Sequence, residues 1–256
     1  MKKLVVIIYT IALSLSSQNV AALQPVDIAG FQKALKDAHT GEKIAFWAEQ
    51  LIGAPYDTDM LGTYVRREVI VADEKMDCMY HVFRSAELAL SHTPEEAVLK
   101  ALDLRFHTKG MLKNGRVLNY DDRFQYGEDM IASDKWGVDV TAGFGKTSKI
   151  KGSRNYTNYE ILLKQDVLSA VEKFKSGDIV FFIKDPEKRT AGEIVGHIGL
   201  IKTEDRVSKG QRVRAVYLIH ASGAKGRNAN GRVMKVLLGE YLKSMPFIGV
   251  KVTRFK

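Results

Sequence analysis

The pattern of hydrophobic and polar positions predicts helices in the first half of the chain. Apolar residues recur at helical spacing over 41–52, and Gly53 ends that segment. Residues 78–90 contain good helix formers and no helix breaker, with Asp77 at the N-cap position. Residues 93–96, Thr-Pro-Glu-Glu, form a capping box with proline at the first helical position, which predicts the start of a third helix.

The last third of the chain has the pattern of β-structure. Four strands are predicted, at 179–183, 197–201, 213–221 and 249–255. The run IVFFI is continuously apolar, as expected for a strand buried on both faces. Polar and apolar positions alternate in the next two strands, which places His197 and His220 on faces that they share with apolar residues.

Three further segments complete the predicted fold. Residues 67–72 are a short strand candidate, and 159–174 are a helix candidate. Residues 107–157 are polar and aromatic with weak periodicity, which is typical of loops. Helices followed by a mostly antiparallel sheet make the predicted fold class α+β, in a single domain over 23–256.

The first 22 residues predict export. Two lysines precede an apolar stretch that ends near Leu15, and small residues lead up to Ala22. This is the pattern of a signal peptide, with cleavage expected after Ala22, and an uncleaved N-terminal anchor is the alternative. No later apolar run approaches about 18 residues, so we expect no stable membrane anchor after cleavage. The protein is therefore predicted to be periplasmic or secreted.

Charge and cysteine content narrow the expected partners. The 39 Lys and Arg residues exceed the 30 Asp and Glu residues, giving a net charge of +9. For an exported protein, polyanionic envelope material is a better expected partner than nucleic acid, although solvated basic loops explain the same balance. Cys78 is the one cysteine, which excludes an internal disulfide framework. A lone thiol in an oxidising compartment is either buried or reactive.

The surroundings of Cys78 suggest nucleophilic chemistry. A thiol at a helix N-terminus gains from the unpaired N–H groups there, which favour negative charge and can hold an oxyanion. His81, three residues later, can touch Cys78 along the helix, but a base so close leaves little room for a substrate. His197 and His220 are isolated polar residues on apolar strands, and neighbouring strands can bring them together as a base and its orienting partner.

Several segments in chain order resemble the NlpC-type papain-like cell-wall hydrolases. They are LIGAPY (51–56), MDC (76–78), SGDIVFF (176–182), GHIGLI (196–201) and YLIHAS (217–222). The long stretch between cysteine and histidine resembles the N-acetylmuramoyl-L-alanine amidase-like branch of that superfamily. The resemblance covers roughly 44–255, implies a papain-like fold, and matches 107–157 poorly, which marks that segment as an insertion between the nucleophile helix and the sheet.

The resemblance implies a catalytic site of four residues. Cys78 corresponds to the nucleophile and His197 to the general base. His220 corresponds to the third, orienting residue. Tyr56 corresponds to the tyrosine that polarises the scissile carbonyl or stabilises its oxyanion.

Substrate contacts are expected on both sides of this site. Where the family prefers small residues after the cysteine, this chain has Met79 and Tyr80, so we expect a bulkier groove. Asp77 and Tyr80 are expected to border the substrate. Lys225 and Arg227, in a glycine-rich loop, are expected to meet its carboxylates, and a solvated basic loop is the alternative.

These expectations predict an exported cysteine amidase or peptidase. It would hydrolyse an amide bond in peptidoglycan stem peptides through a thioester acyl-enzyme, with no cofactor and no metal. One alternative is a catalytically inactive relative that binds murein. Another is an exported thiol acyltransferase or thioesterase.

Overall fold

A computed structural model describes residues 23–59, 65, 67–154, 157–188, 192–208, 210–223 and 230–256. The predicted signal peptide (1–22) and the basic residues Lys225 and Arg227 lie outside the described residues. None of the helices in these ranges is long and apolar enough to cross a membrane.

Four helices occupy the first part of the described chain: α1 (Pro25–Ala34), α2 (Thr40–Gln50), α3 (Cys78–Ala89) and α4 (Pro94–Leu104). The Asp77 carboxylate caps α3 by accepting a hydrogen bond from the Tyr80 backbone N–H at 2.7 Å. Thr93 caps α4 in the same way through the Glu96 N–H at 3.2 Å. The helices predicted over 41–52 and 78–90, and the one predicted to start at the capping box, are confirmed. Shorter helices follow, at α5 (Gly127–Ala132), α6 (Lys164–Ser169) and α7 (Leu238–Ser244).

An eight-stranded antiparallel sheet forms the second part of the fold. Its strands are β3 (Val138–Asp139), β4 (Thr147–Lys151), β5 (Asn158–Leu163), β6 (Ile179–Lys184), β7 (Val195–Ser208), β8 (Gln211–Ser222), β9 (Arg232–Leu237) and β10 (Phe247–Arg254). The spatial order is β4-β5-β10-β6-β7-β8-β9, and β3 also pairs with β10. A separate hairpin joins β1 (Leu112–Lys113) to β2 (Arg116–Val117). The predicted α+β class with a mostly antiparallel sheet is confirmed.

The sheet separates two hydrophobic cores. The first contains Ile198, Leu200 and Ile219 from the sheet and residues of α2, α3 and α4. The second contains Ile201 and Leu218, with α6 and α7 beside them. Successive side chains of β7 and β8 therefore enter the two cores in turn, as the alternating sequence pattern predicts.

Two predicted elements are wrong. Residues 158–163, inside the predicted helix 159–174, form strand β5, and α6 begins only at Lys164. Tyr159 and Ile161 enter the first core while Leu162 enters the second, so pairing with β4 and β10 overrides helix propensity. Residues 67–72 form no strand, and Ile70 instead packs in a small core with Leu102 and Phe106.

The Ser-Gly-Asp turn before β6 joins α2 to the sheet. Gly177 has a φ of +82°, and an added Cβ would lie 2.4 Å from the Cα of Gly41. The next residue, Asp178, is fully buried and accepts two hydrogen bonds from the Arg254 guanidinium, at 2.5 and 2.8 Å. The turn therefore requires glycine at 177. The Asp178 carboxylate links the start of β6 to the end of β10.

We predict that Gly177→Ala lowers the free energy of unfolding by roughly 2–4 kcal/mol, because alanine would be strained at positive φ and would clash with Gly41. Gly30 in α1 is the matched control, since a Cβ there meets nothing within 4 Å. Gly30→Ala should raise the free energy of unfolding by about 0.5–1 kcal/mol. Urea unfolding measures both changes, and equal effects of the two substitutions would refute this account of the turn.

Candidate active site

Cys78 is the first residue of α3, and the chain before it is held by backbone pairing. Met76 donates its N–H to the Pro55 carbonyl at 2.9 Å, and Tyr56 donates its N–H to the Gly231 carbonyl at 2.8 Å. Tyr56 and Met76 form a parallel bridge. This pairing, two residues before Cys78, places Tyr56 next to the start of the helix.

Buried charges fix α3 in the core. The Asp73 carboxylate accepts hydrogen bonds from Arg84 Nε at 3.0 and 3.1 Å and from the Tyr80 hydroxyl at 2.7 Å. Glu87, fully buried in the same helix, accepts two hydrogen bonds from Arg105, each at 2.5 Å. Both ends of α3 are therefore tied to neighbouring segments by ionic contacts removed from solvent.

Strands β7 and β8 bring the two histidines together. His197 Nε2 lies 2.7 Å from His220 Nδ1, and their rings meet edge to face with centroids 4.9 Å apart. Gly199 makes the space, because an added Cβ would lie 3.1 Å from the His220 Cβ. Among the described residues, His220 Nε2 is buried and has no hydrogen-bond partner. The two rings form one hydrogen-bonded unit, in which the tautomers decide which ring donates.

An aromatic wall surrounds the imidazole pair. The Tyr241 ring centroid lies 4.8 Å from that of His220 and 6.0 Å from that of His197. Phe182 stacks near His197 at 6.0 Å and contacts both Tyr241 and Phe247. These rings hold the two imidazoles in place and exclude water from one side of them.

His197 lies between two cavities. The larger, of about 650 Å³, is lined by Tyr56, His220 and Tyr241 among other residues. The smaller, of about 100 Å³, is lined by Cys78 and by 125–127, the residues that lead into α5. We call the two cavities together the cleft, and His197 lines both parts. The cleft thus brings together the cysteine, the two histidines and the tyrosine predicted as site residues.

The Cys78 thiol is protonated in the free protein. Burial, and secondly the Asp77 carboxylate, raise its pKa to about 12, whereas the backbone N–H groups of Ile198, Cys78 and Met79 act in the opposite direction. Cys78 keeps part of its surface exposed. Burial and the capping carboxylate of Asp77 therefore outweigh the helix N-terminus in setting this pKa.

The histidines and Tyr56 are also uncharged at neutral pH. Burial, and secondly His220, lower the pKa of His197 to about 3, and burial lowers that of His220 to about 4. Burial, with smaller contributions from the charges of Cys78, Asp77 and Asp57, raises the pKa of Tyr56 to about 12. A neutral imidazole can accept a proton, and a protonated phenol can donate a hydrogen bond.

Two residues that were expected to border the substrate make contacts within the protein instead. Tyr80, expected beside the substrate, is 1% exposed, and its hydroxyl contacts Asp73 and the Ala72 N–H. Asp77 is used as the helix cap. Tyr80 is therefore unavailable to a substrate. Met79 does line the cleft, because side chains at adjacent helical positions point in different directions.

His81 lies in the core and lines neither part of the cleft. It is fully buried, and its Nε2 faces the Ala48 carbonyl of α2 at 3.4 Å, whereas its Nδ1 has no hydrogen-bond partner among the described residues. Its position explains why spacing along α3 is a poor guide to the partner of Cys78.

Tyr241 and Glu193 line the cleft but were not predicted from the sequence. Neither belongs to a motif, and each reaches the cleft only through tertiary packing. Tyr126, from the segment 107–157, also lines the cleft. Among the described residues, no group of three or more His, Cys, Asp or Glu side chains is placed to hold a metal ion.

Comparisons with known proteins show the fold. An N-acetylmuramoyl-L-alanine amidase from Bacteroides uniformis ATCC 8492 superposes with a TM-score of 0.62 at 19% identity, covering 85% of this chain and 99% of that one. A protein from Legionella pneumophila superposes at 0.65 with 14% identity, covering 89% and 93%. A Bacteroides fragilis protein named as a candidate xylanase superposes at 0.61 with 20% identity, covering 82% and 100%.

Similarity to these proteins is visible in structure and not in sequence. No model of a known protein family matches the chain, and no curated protein sequence matches it either. The fold is shared with structural neighbours that include proteins named as N-acetylmuramoyl-L-alanine amidases.

We predict that Cys78 in the folded protein reacts with iodoacetamide at pH 7 at least about tenfold more slowly than free cysteine, because its raised pKa leaves little thiolate. Asp77→Asn should accelerate the reaction, since asparagine can still cap α3 without the negative charge. The rate measured against pH gives the pKa, with the urea-unfolded protein as the control. A folded-state pKa below that of the unfolded protein would contradict this description.

Proposed function

We propose that the protein is an exported cysteine amidase or peptidase that hydrolyses an amide bond in peptidoglycan stem peptides. The observation that carries the proposal is the hydrogen-bonded pair of His197 and His220, which shares a cleft with Cys78 at the start of a buried helix. The fold shared with proteins named as amidases supports the same conclusion. Export, to the periplasm or the exterior, follows from the signal-peptide pattern of 1–22.

The first step forms a thioester. The Cys78 sulfur attacks the amide carbonyl carbon while its proton passes to His197. Negative charge develops on the carbonyl oxygen, where the Tyr56 hydroxyl and the N–H groups at the start of α3 can stabilise it. Collapse of this intermediate breaks the carbon–nitrogen bond, and His197 returns the proton to the leaving amine.

The second step releases the acyl group. His197 takes a proton from a water molecule, whose oxygen attacks the thioester carbonyl. The carbon–sulfur bond breaks, a carboxylic acid leaves, and Cys78 regains its proton. No cofactor or metal takes part in either step.

The proposed role of His220 follows from the positions of protons on the two rings. For His197 Nδ1 to accept the thiol proton, the neutral ring must carry its hydrogen on Nε2, which then donates to His220 Nδ1. His220 must in turn carry its hydrogen on Nε2. The contact with His220 therefore selects the tautomer and ring orientation that the base requires, as the orienting residue does in other hydrolase triads.

A thiol acyltransferase or thioesterase is the second candidate, favoured by one observation. The larger part of the cleft is bordered by Met234, Val236, Met245 and Phe247, an apolar lining suited to an acyl chain. The basic residues Lys225 and Arg227, which follow β8 in the sequence, fit the carboxylates of a stem peptide better than a lipid chain. We therefore place the amidase first.

We predict that digestion of purified murein releases fragments with new amine-bearing termini, which mass spectrometry identifies. The Cys78→Ala variant should release none, because it lacks the nucleophile. The identity of the new terminus shows whether the muramoyl–alanine bond or a peptide bond is cleaved. Unchanged murein that still binds the wild-type protein would instead support an inactive murein-binding relative, and hydrolysis of an acyl ester alone would support the second candidate.

We also predict that His197→Ala lowers kcat/KM on soluble muropeptides by about 10²–10⁴-fold, the usual contribution of a general acid–base. His81→Leu is the control, because His81 is buried in α3 and lines neither part of the cleft. It should leave kcat/KM within about threefold of the wild-type value, since it removes no group from the reaction. Equal losses in the two variants would rule out His197 as the specific base.

A further inference from the structure

A side cavity opens next to the part of the cleft that contains Cys78. Its volume is about 330 Å³, and its lining residues are Tyr126, Ser153, Arg154, Gly192 and Glu193. Tyr126 and Glu193 also line the cavity at Cys78. Because the two spaces share these walls, a peptide bound across Cys78 can place a neighbouring side chain in the side cavity.

Glu193 is an unusual group in this position. The residue is only 7% exposed. Its Oε1 accepts a hydrogen bond from the Val195 N–H at 3.0 Å, whereas Oε2 is buried and has no hydrogen-bond partner in the part of the chain that the structure describes. Burial, with the neighbouring charges of Glu128 and Asp129 as smaller causes, raises the pKa of this carboxyl to about 7. Burying a carboxylate oxygen without a donor is costly, and a donor from a ligand would remove that cost.

The other acidic groups at the side cavity already have partners. Glu128 accepts hydrogen bonds from the Ser153 N–H and hydroxyl and from the Arg154 N–H, at 2.9–3.2 Å. Asp129 accepts from Arg154 Nε at 2.7 Å, while the Arg154 guanidinium lies 4.3 Å from the Tyr126 ring centroid. Among the described residues that line the side cavity, the cation Arg154 is therefore paired with Asp129, and the Glu193 carboxylate has one donor, the Val195 N–H.

We propose that the side cavity is a subsite for a primary ammonium group of the substrate, which pairs with the Glu193 carboxylate at the wall that the side cavity shares with the cleft. An ammonium is compact, carries three donors and forms strong charge-assisted hydrogen bonds with carboxylates. The inference rests on the proposed function, because stem peptides that contain a diamino acid carry such a group close to their amide bonds. The subsite makes the enzyme selective for peptides in which that side-chain amine is free.

Calorimetric titration of the Cys78→Ala protein tests this inference without hydrolysis. The two ligands are soluble muropeptides that differ only in the side-chain amine of the diamino acid, free in one and acetylated in the other. We expect the free amine to bind at least about tenfold more tightly. Adding Glu193→Gln should remove this preference by weakening only the free-amine ligand, whereas Glu172→Gln, at an exposed turn, should preserve it.

A folding control accompanies the titration. Glu193→Gln removes a carboxylate that lacks a full set of partners, so the midpoint of urea unfolding should rise. A loss of affinity in this variant then cannot be attributed to unfolding. Equal affinity for the two muropeptides, absence of binding by both, or equal losses with both ligands in Glu193→Gln would overturn the subsite. A protein that keeps the ammonium preference but hydrolyses no murein would contradict the proposed function and leave the subsite supported.

Discussion

The position of Cys78 depends on the buried ionic contacts that hold helix α3. Asp73, which precedes the helix, binds Arg84 within it. Glu87, near the end of the helix, binds Arg105, which follows α4. Removing one member of such a pair leaves an uncompensated buried charge, at a cost of about 3–5 kcal/mol. Backbone pairing then sets the start of the helix beside Tyr56, and β7 and β8 carry the two imidazoles of the cleft. These contacts fix the start of α3 at the cleft.

Burial leaves the proposed reacting groups neutral before a substrate binds. The thiol of Cys78 has a raised pKa, and the imidazole of His197 has a lowered one, both mainly because of burial. In the mechanism that we propose, the proton therefore moves from sulfur to nitrogen as the carbonyl is attacked, instead of being transferred beforehand. A protonated thiol is also a poor target for oxidants, since oxidation follows thiolate character. The same burial that slows the free thiol would protect a lone cysteine in the oxidising compartment to which we assign the protein.

The sequence predicts the parts of this structure that depend on local pattern. Capping residues mark the starts of α3 and α4, and period-two alternation places His197 and His220 beside each other on neighbouring strands. Prediction from the sequence fails where long-range packing determines the structure. Strand β5 has helix-forming residues but is held by pairing with β4 and β10. The Tyr80 side chain points into the core, where its hydroxyl contacts Asp73. Tyr241 and Glu193 carry no local signal, because only the folded chain brings them to the cleft.

The central claim, that Cys78 attacks the substrate carbonyl, is tested most directly by intact-protein mass spectrometry after rapid acid quenching of the wild-type protein mixed with a soluble muropeptide. The account predicts a transient mass increase equal to the acyl fragment, located on Cys78, lost on treatment with hydroxylamine and absent from Cys78→Ala. Product formation without any adduct, at a rate that Cys78→Ala retains, would contradict it.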